Sequence, residues 1–192
     1  MAEAADYTVA LLLGGQARRL PDKLERPLGG STLMERAIAL GRSLGPLVLL
    51  GREEQRARAE RYGVPFLADR HPGGGPLPAL LTAFEAIDSP WVLALAADLP
   101  ALERAVPERL AAHRLPGIDA VVPRHRGGIE PLCALYERRA ALRAAATPSA
   151  NEGPRALLER MRVAYVEFSE ALFLNINSEA DWLQVQERNL LR

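Results

Sequence analysis

The residues with chemical potential stand in short groups between apolar runs. The first group follows the run 9–13 and reads Gly14-Gly15, then Arg18-Arg19, then Lys23. Two successive glycines let a backbone approach a ligand closely and leave N–H groups free to point at it, an arrangement that suits phosphate. The arginines and the lysine add charge to those dipoles. Of 24 basic side chains Lys23 is the only lysine, so the other 23 are arginine. An ammonium is a compact, flexible point charge and a guanidinium a planar fork, so the two are not interchangeable in a site. The alternative is an ordinary glycine turn with a solvated basic flank and one leftover lysine.

Asp98 ends the apolar run 91–97, WVLALAA. A carboxylate beside a phosphate loop anchors Mg²⁺, which takes one or two carboxylates plus phosphates and waters. It also suits the N-cap of a helix with Pro100 in its first turn, and both readings are compatible. Asp69 precedes a second glycine cluster, His71-Pro-Gly-Gly-Gly-Pro76, and is either a turn aspartate or a site residue. The glycines lead into a helix, so their N–H groups face an anion or nucleobase, or else form a loop without ligand. Asn175 and Asn177 lie two positions apart, so on an extended segment their side chains share a side. Two amides there read a polar ring or a second phosphate; otherwise they are turn formers before Ser178. Cys133, flanked by Leu132 and Ala134, reads as a small core residue. His71, His113 and His125 are scattered, and no Ser/His/Asp set is legible. The glycine spacing fits neither a Walker A loop nor a dinucleotide fingerprint, which disfavours a kinase or a dehydrogenase; the remaining double-glycine loop with its arginines and lysine suits a nucleoside triphosphate lying across a sheet edge.

These groups need a frame that delivers them to one place. A short apolar run ended by glycines reads as a buried strand whose carboxyl end carries the loop, and ligands of open α/β sheets gather at that edge. Thr32-Leu-Met-Glu35 has the form of a capping box and predicts a helix to about residue 43. Strands are predicted over 46–50 and 64–67, with polar helical spacing over 52–62 between them. A helix follows over about 77–87. The run 91–97 is the most uniformly apolar and so the predicted central strand, with a helix from Asp98-Leu-Pro100 to about residue 113. This alternation predicts a parallel sheet with right-handed crossovers. Beyond residue 118 come a strand over 118–122, a basic glycine-rich loop over 124–128 and a second apolar stretch over 129–136. Helices about 137–146 and 153–161 and a strand near 163–168 follow. Residues 173–177 alternate like a strand edge, and Ser178-Glu-Ala-Asp181 is a second capping box leading the last helix. One domain over 1–192 is expected, with a nucleotide-binding half to about 117 and an acceptor-binding half beyond it.

Bulk properties narrow the function classes. The 192 residues carry no net charge, so any anion binding is local and nucleic acid is not an expected partner. Aromatic residues, 5% of the chain, are too few and dispersed to stack bases. A single cysteine excludes an internal disulfide, and with three histidines there is no Cys/His metal cluster. No segment reaches the roughly 18 apolar residues of a membrane span. The acidic start, MAEAAD, does not read as a signal peptide, so a cytoplasmic protein is expected.

Together these residues resemble the nucleotidyltransferases with a Rossmann-like fold, and most closely the molybdenum cofactor guanylyltransferases. The resemblance is carried by Leu12-Leu-Gly-Gly15 with Arg18-Arg19 and Asp22-Lys23, by the stretch Pro27 to Glu35, and by Gly75-Pro-Leu77. Ala97-Asp98-Leu-Pro100, the run Glu130 to Tyr136 and Phe173-Leu-Asn-Ile-Asn-Ser178 complete it. The chain departs from the family pattern at Leu20-Pro21, Leu50-Gly51-Arg52, Pro78-Ala79 and Glu130. The resemblance implies a three-layer α/β/α fold with a mostly parallel central sheet. It implies GTP and molybdopterin-bound cofactor as substrates, and Mg²⁺ held by Asp98. Lys23, Arg19 and Asp98 would be catalytic; Leu12, Leu13, Gly14, Gly15, Lys23, Asp69 and Asp98 would bind nucleotide; Asn175 and Asn177 would bind the acceptor. It further implies a monomer in transient contact with molybdoenzymes or other cofactor-synthesis proteins.

Overall fold

A computed structural model describes residues 6–14, 20, 22–70, 75–146 and 153–187. Tyr7–Leu12 forms β1, buried throughout. Val9 and Leu11 enter the core on one face, and Ala10 and Leu12 on the other, the period of two of a strand covered on both sides. The short pair β2 (Pro27–Leu28) and β3 (Ser31–Thr32) leads into α1 (Leu33–Leu44). The capping box is formed: Glu35 N–H donates to Thr32 Oγ1 at 3.1 Å and Thr32 N–H to Glu35 Oε2 at 2.7 Å. There follow β4 (Leu47–Gly51), α2 (Arg56–Glu60), β5 (Phe66–Ala68), α3 (Pro76–Ala86), β6 (Trp91–Ala96) and α4 (Ala105–Ala112). The later part holds β7 (Ala120–His125), β8 (Gly128–Ile129), β9 (Cys133–Glu137), α5 (Arg138–Ala145), α6 (Pro154–Leu158), β10 (Val163–Glu167) and α7 (Glu179–Glu187).

The main sheet runs β10-β7-β9-β6-β1-β4-β5, with β8 paired to β7. Only β9 and the short β8 run against the rest. The expected central strand is central: β6 is fourth of seven along this path, and Val92, Leu93, Ala94 and Leu95 are buried. Leu33, Ile38, Leu110 and Trp182 place α1, α4 and α7 on one face. Leu80, Phe84, Ala141 and Leu157 place α3, α5 and α6 on the other. The result is a three-layer α/β/α architecture. Among the described residues no helix is long and apolar enough to cross a membrane.

Several boundaries differ from the sequence-based expectation. The helix after β6 starts at Ala105, with Arg104 as its N-cap, so Asp98 caps no helix and lies in a turn. The polar stretch 52–62 makes one 3₁₀ turn, Glu53–Gln55, before the short α2, and the segment 153–161 gives only the five-residue α6. Residues 173–177 form no strand. A 3₁₀ turn, Glu170–Phe173, ends there, and the period of two is broken at its start: Phe173 is buried while Asn175 and Asn177, of the same parity, are exposed and Ile176 between them is buried. Cys133 is fully buried, and burial pushes its thiol well above the usual range, in line with a core residue.

Candidate active site

Register sets the site. Leu12 pairs with Leu50 of β4 and with Ala96 of β6, and Gly51 pairs with Ala68 of β5. Three further backbone bonds carry these ladders one step on: Leu13 N to Leu50 O at 2.9 Å, Ala97 N to Leu12 O at 3.0 Å and Asp69 N to Gly51 O at 2.7 Å. The chain runs from β1 outward through β4 and β5 and then returns to β6 on the other side, so β1 is a topological switch point, where such sheets bind ligands. Gly14, Arg52, Asp69 and Asp98 are thereby delivered to one edge. They surround a cavity of about 410 Å³ floored by Leu12 and Leu13.

The glycines here have backbone reasons. Gly14 has φ +74° and Gly75 φ +83°, values that side chains avoid. Gly75 precedes Pro76 at the first turn of α3, and both line the cavity, so the positive end of that helix lies beside it. Asp69 accepts a bond of 3.3 Å from the buried hydroxyl of Thr82 on α3. Gly15, Arg18, Arg19, Gly73 and Gly74 lie outside the described residues.

A second cavity, about 510 Å³, adjoins the first and is lined by Glu130, Arg155, Asn175 and Asn177. Pro76, Ala96, Leu132 and Asp98 line both. Asp98 is the one ionisable side chain among those four, so a single carboxylate faces two adjoining chambers.

Lys23 organises this wall. Its Nζ donates to Asp98 Oδ2 at 2.6 Å, to Ile176 O at 2.7 Å and to Asn177 Oδ1 at 3.2 Å. The side chains of Lys23 and Asp98 are 11% and 22% exposed, dry enough for the pairing to matter. Ile176 N–H also donates to Asp98 O at 3.2 Å. The loop after β1, the turn after β6 and the segment before α7 therefore meet on one ammonium. Sequence spacing could not show this, since the contacts span 75 to 154 positions.

Further contacts hold the meeting together. Arg26 grips Glu179 of α7 through two bonds of 2.6 and 2.8 Å and lies 4.5 Å from the centre of the Trp182 ring. The second capping box forms as expected, and Asp181 Oδ2 also accepts Asn177 N–H at 2.9 Å. Those bonds, the Asn177 amide first, hold the Asp181 carboxyl below its ordinary pKa. Asp22, next to Lys23, adopts φ +52° with Arg58 bonded to its carboxylate at 2.8 Å.

The expected site residues sort into three sets. Leu12, Leu13, Gly14, Asp69 and Asp98 share the first cavity; Asn175, Asn177 and Asp98 share the second; Lys23 bridges Asp98 and Asn177. Sequence reasoning missed Arg52, Thr82, Arg155 and the His125–Glu130 pair. Arg155 had a weak signal, a basic residue directly after Gly153-Pro154 at a helix start. Thr82 had none, being one hydroxyl on an apolar helix.

A family model described as MobA-like NTP transferase domain matches residues 9–165. A probable molybdenum cofactor guanylyltransferase of Opitutus terrae is 38% identical over 141 residues, covering 70% of this chain and 68% of that protein. Another probable molybdenum cofactor guanylyltransferase, from Bacillus subtilis, is 31% identical over 191 residues, 93% of this chain and 94% of that one. The crystal structure of molybdopterin-guanine dinucleotide biosynthesis protein A from Archaeoglobus fulgidus superposes with a TM-score of 0.78 at 28% identity, covering 94% of this chain and 97% of that one. The chain therefore belongs to the MobA-like NTP transferase family, as a nucleotidyltransferase.

Proposed function

We propose that the protein transfers GMP from GTP to molybdopterin-bound molybdenum cofactor, giving the guanine dinucleotide form and pyrophosphate. The observation that carries this reading is the shared wall: Asp98 lines both cavities, as a transfer between two bound substrates requires. GTP takes the switch-point cavity, with the backbone at Leu12, Leu13, Gly14 and Gly15 around its phosphates and Asp69 on the nucleoside side. The acceptor takes the second cavity, against Asn175 and Asn177.

A terminal phosphate oxygen of the acceptor attacks the α-phosphorus of GTP, the bond to the β-phosphate oxygen breaks, and pyrophosphate leaves. The nucleophile is already an anion, so the protein's work is alignment and charge stabilisation. Lys23 and Arg19 neutralise the triphosphate and the leaving pyrophosphate. Lys23 has to exchange Asp98 for phosphate to do so, a move within reach of a flexible four-carbon stem.

A divalent cation fits the donor set. Asp98 Oδ2, Ile176 O and Asn177 Oδ1 already surround a positive charge, the Lys23 ammonium, and all three are the hard oxygens that Mg²⁺ prefers. Asp98 would hold it, and when bound it supplies neutralisation of the phosphate oxygens.

Pyrophosphate release measured with each of the four nucleoside triphosphates, with and without molybdopterin, tests the proposal. Release with GTP and molybdopterin together, and not with CTP or without acceptor, is expected. Release with CTP or with a sugar phosphate assigns another nucleotidyl transfer to this fold, and GTP binding without any pyrophosphate makes the protein a carrier.

A further inference from the structure

Beyond the transfer chemistry, one wall of the second cavity carries a fixed anionic group. Glu130 lies there, and its backbone is held on both sides. Its N–H donates to Pro123 O at 3.1 Å, and its carbonyl accepts Cys133 N–H at 3.0 Å. The neighbouring Pro131 carbonyl accepts the hydroxyl of buried Tyr136 at 2.7 Å.

The side chain is fixed as well. His125 Nε2 lies 2.9 Å from Glu130 Oε1, and Gly127 N–H donates to His125 Nδ1 at 3.1 Å. With Nδ1 acting as acceptor, the ring proton sits on Nε2 and is donated to the carboxylate. The imidazole is 7% exposed and stacks on Phe173, with centroids 5.3 Å apart and planes 12° off parallel. It is thereby held in one orientation. The Glu130 side chain is 21% exposed. Among the described residues no second donor is bonded to this carboxylate, and its remaining lone pairs are free for a ligand.

A carboxylate repels the anionic end of an acceptor and attracts N–H donors. The opposite charge lies on the same cavity, where Arg155 packs its guanidinium 3.0 Å from the point a Gly128 Cβ would occupy. Arg155 thus suits an anion and Glu130 a hydrogen-bond donor. We propose that Glu130 is a specificity residue that reads the 2-amino-4-oxo edge of a bicyclic heterocycle, accepting a ring N–H and the adjacent amino N–H, with His125 as its positioning residue. The inference rests on the functional reading above, in which the acceptor is a pterin. Two parallel N–H bonds to a carboxylate give both strength and geometric selection, and a half-buried acceptor built for them disfavours an analogue that lacks them.

The test is binding of fluorescent pterin-6-carboxylate against lumazine-6-carboxylate, in which the 2-amino group is an oxygen. The wild-type protein is expected to prefer the pterin by about tenfold or more. Glu130→Gln keeps an oxygen for His125 but turns an NH₂ toward the ligand, and is expected to bring the two within about threefold. In turnover, Glu130→Gln should raise the acceptor KM on the order of 10- to 100-fold and leave the GTP KM unchanged. His125→Phe, which retains a ring on Phe173, should raise the acceptor KM less and leave kcat in place. Equal affinities in the wild-type protein, binding of neither probe, or a pterin preference that survives Glu130→Gln overturns the proposal, and the first two need no variant to fold. Turnover of GTP with molybdopterin but no pterin preference sinks this inference alone. Pterin preference without pyrophosphate release sinks the transfer reading and leaves the ring-reading subsite.

Discussion

Lys23 Nζ stands 2.6 Å from Asp98 Oδ2 and holds Ile176 O and Asn177 Oδ1 at 2.7 and 3.2 Å. The only lysine of the chain is thus the junction between the loop after β1, the turn after β6 and the segment before α7. Three oxygens around one nitrogen match an ammonium, with three donors, and not a planar fork. Lys23→Arg is expected to lower kcat/KM by about 10²- to 10³-fold while the thermal midpoint moves little. Lys23→Met leaves Asp98 without its cation and is expected to cost about 1–3 kcal/mol in urea unfolding. A Lys23→Arg enzyme of normal activity would return the lysine to an incidental residue.

The oxygens that hold the ammonium are also those offered to a divalent cation, so the two should compete. Mn²⁺ titrated into nucleotide-free protein is expected to bind Lys23→Met on the order of tenfold more tightly than wild type, because a like charge has been removed from the site. Turnover should vanish with EDTA and return with added metal. Equal Mn²⁺ affinity in the two proteins would mean that ammonium and cation do not share a place.

Gly75 opens α3 with φ 83° and ψ −160°, a region open in practice only to glycine. Among the described residues beyond its chain neighbours, no atom lies within 4 Å of the point a Cβ would occupy at this position, so the cost of Gly75→Ala is conformational. It should destabilise the protein by about 1–3 kcal/mol and raise the GTP KM. A variant with wild-type stability would show that the turn before Pro76 relaxes without penalty.

Much of the frame was legible in the sequence because it rests on local patterns. The uniform apolarity of residues 91–97 marks the middle of the sheet, and Thr32 to Glu35 and Ser178 to Asp181 mark helix starts through side chains three residues apart. Boundaries failed where a tertiary contact overrides the local pattern. Asp98-Leu-Pro100 reads as a helix opening, yet Asp98 is engaged by Lys23, and Ile176 N–H takes its carbonyl, so the helix waits until Ala105. Residues 173–177 alternate like a strand, but Ile176 bonds to a turn rather than to a sheet edge. Asp98 was legible as a candidate because it ends an apolar run, and Asn175 and Asn177 because two amides stand two positions apart. The pairing of Lys23 with Asp98 was not, nor was His125 with Glu130, where an isolated histidine gains its meaning from Phe173 and Gly127.

Asp181 gives a pH dependence with a defined sign. Its carboxylate accepts the N–H groups of Asn177 and Ser178, which hold its folded pKa below the ordinary aspartate value. The stability it contributes is complete above the unfolded aspartate pKa, about 3.9, and is lost as pH falls through the lower folded value. Asp181→Ala should flatten this acid limb and cost about 0.5–2 kcal/mol at neutral pH, the range for a lost N-terminal cap. It should also raise the acceptor KM, since Asn177 loses its anchor. Unchanged melting between pH 3 and 7 in both proteins would remove the cap from the account.

In the proposed transfer one carboxylate, Asp98, serves both chambers. Pyrophosphate release from GTP and molybdopterin in Asp98→Ala, measured beside wild type with circular dichroism melts of both, tests it most directly. The expected result is a fall in turnover of about 10²-fold or more with the fold retained. Near-normal release from a folded Asp98→Ala protein would contradict it.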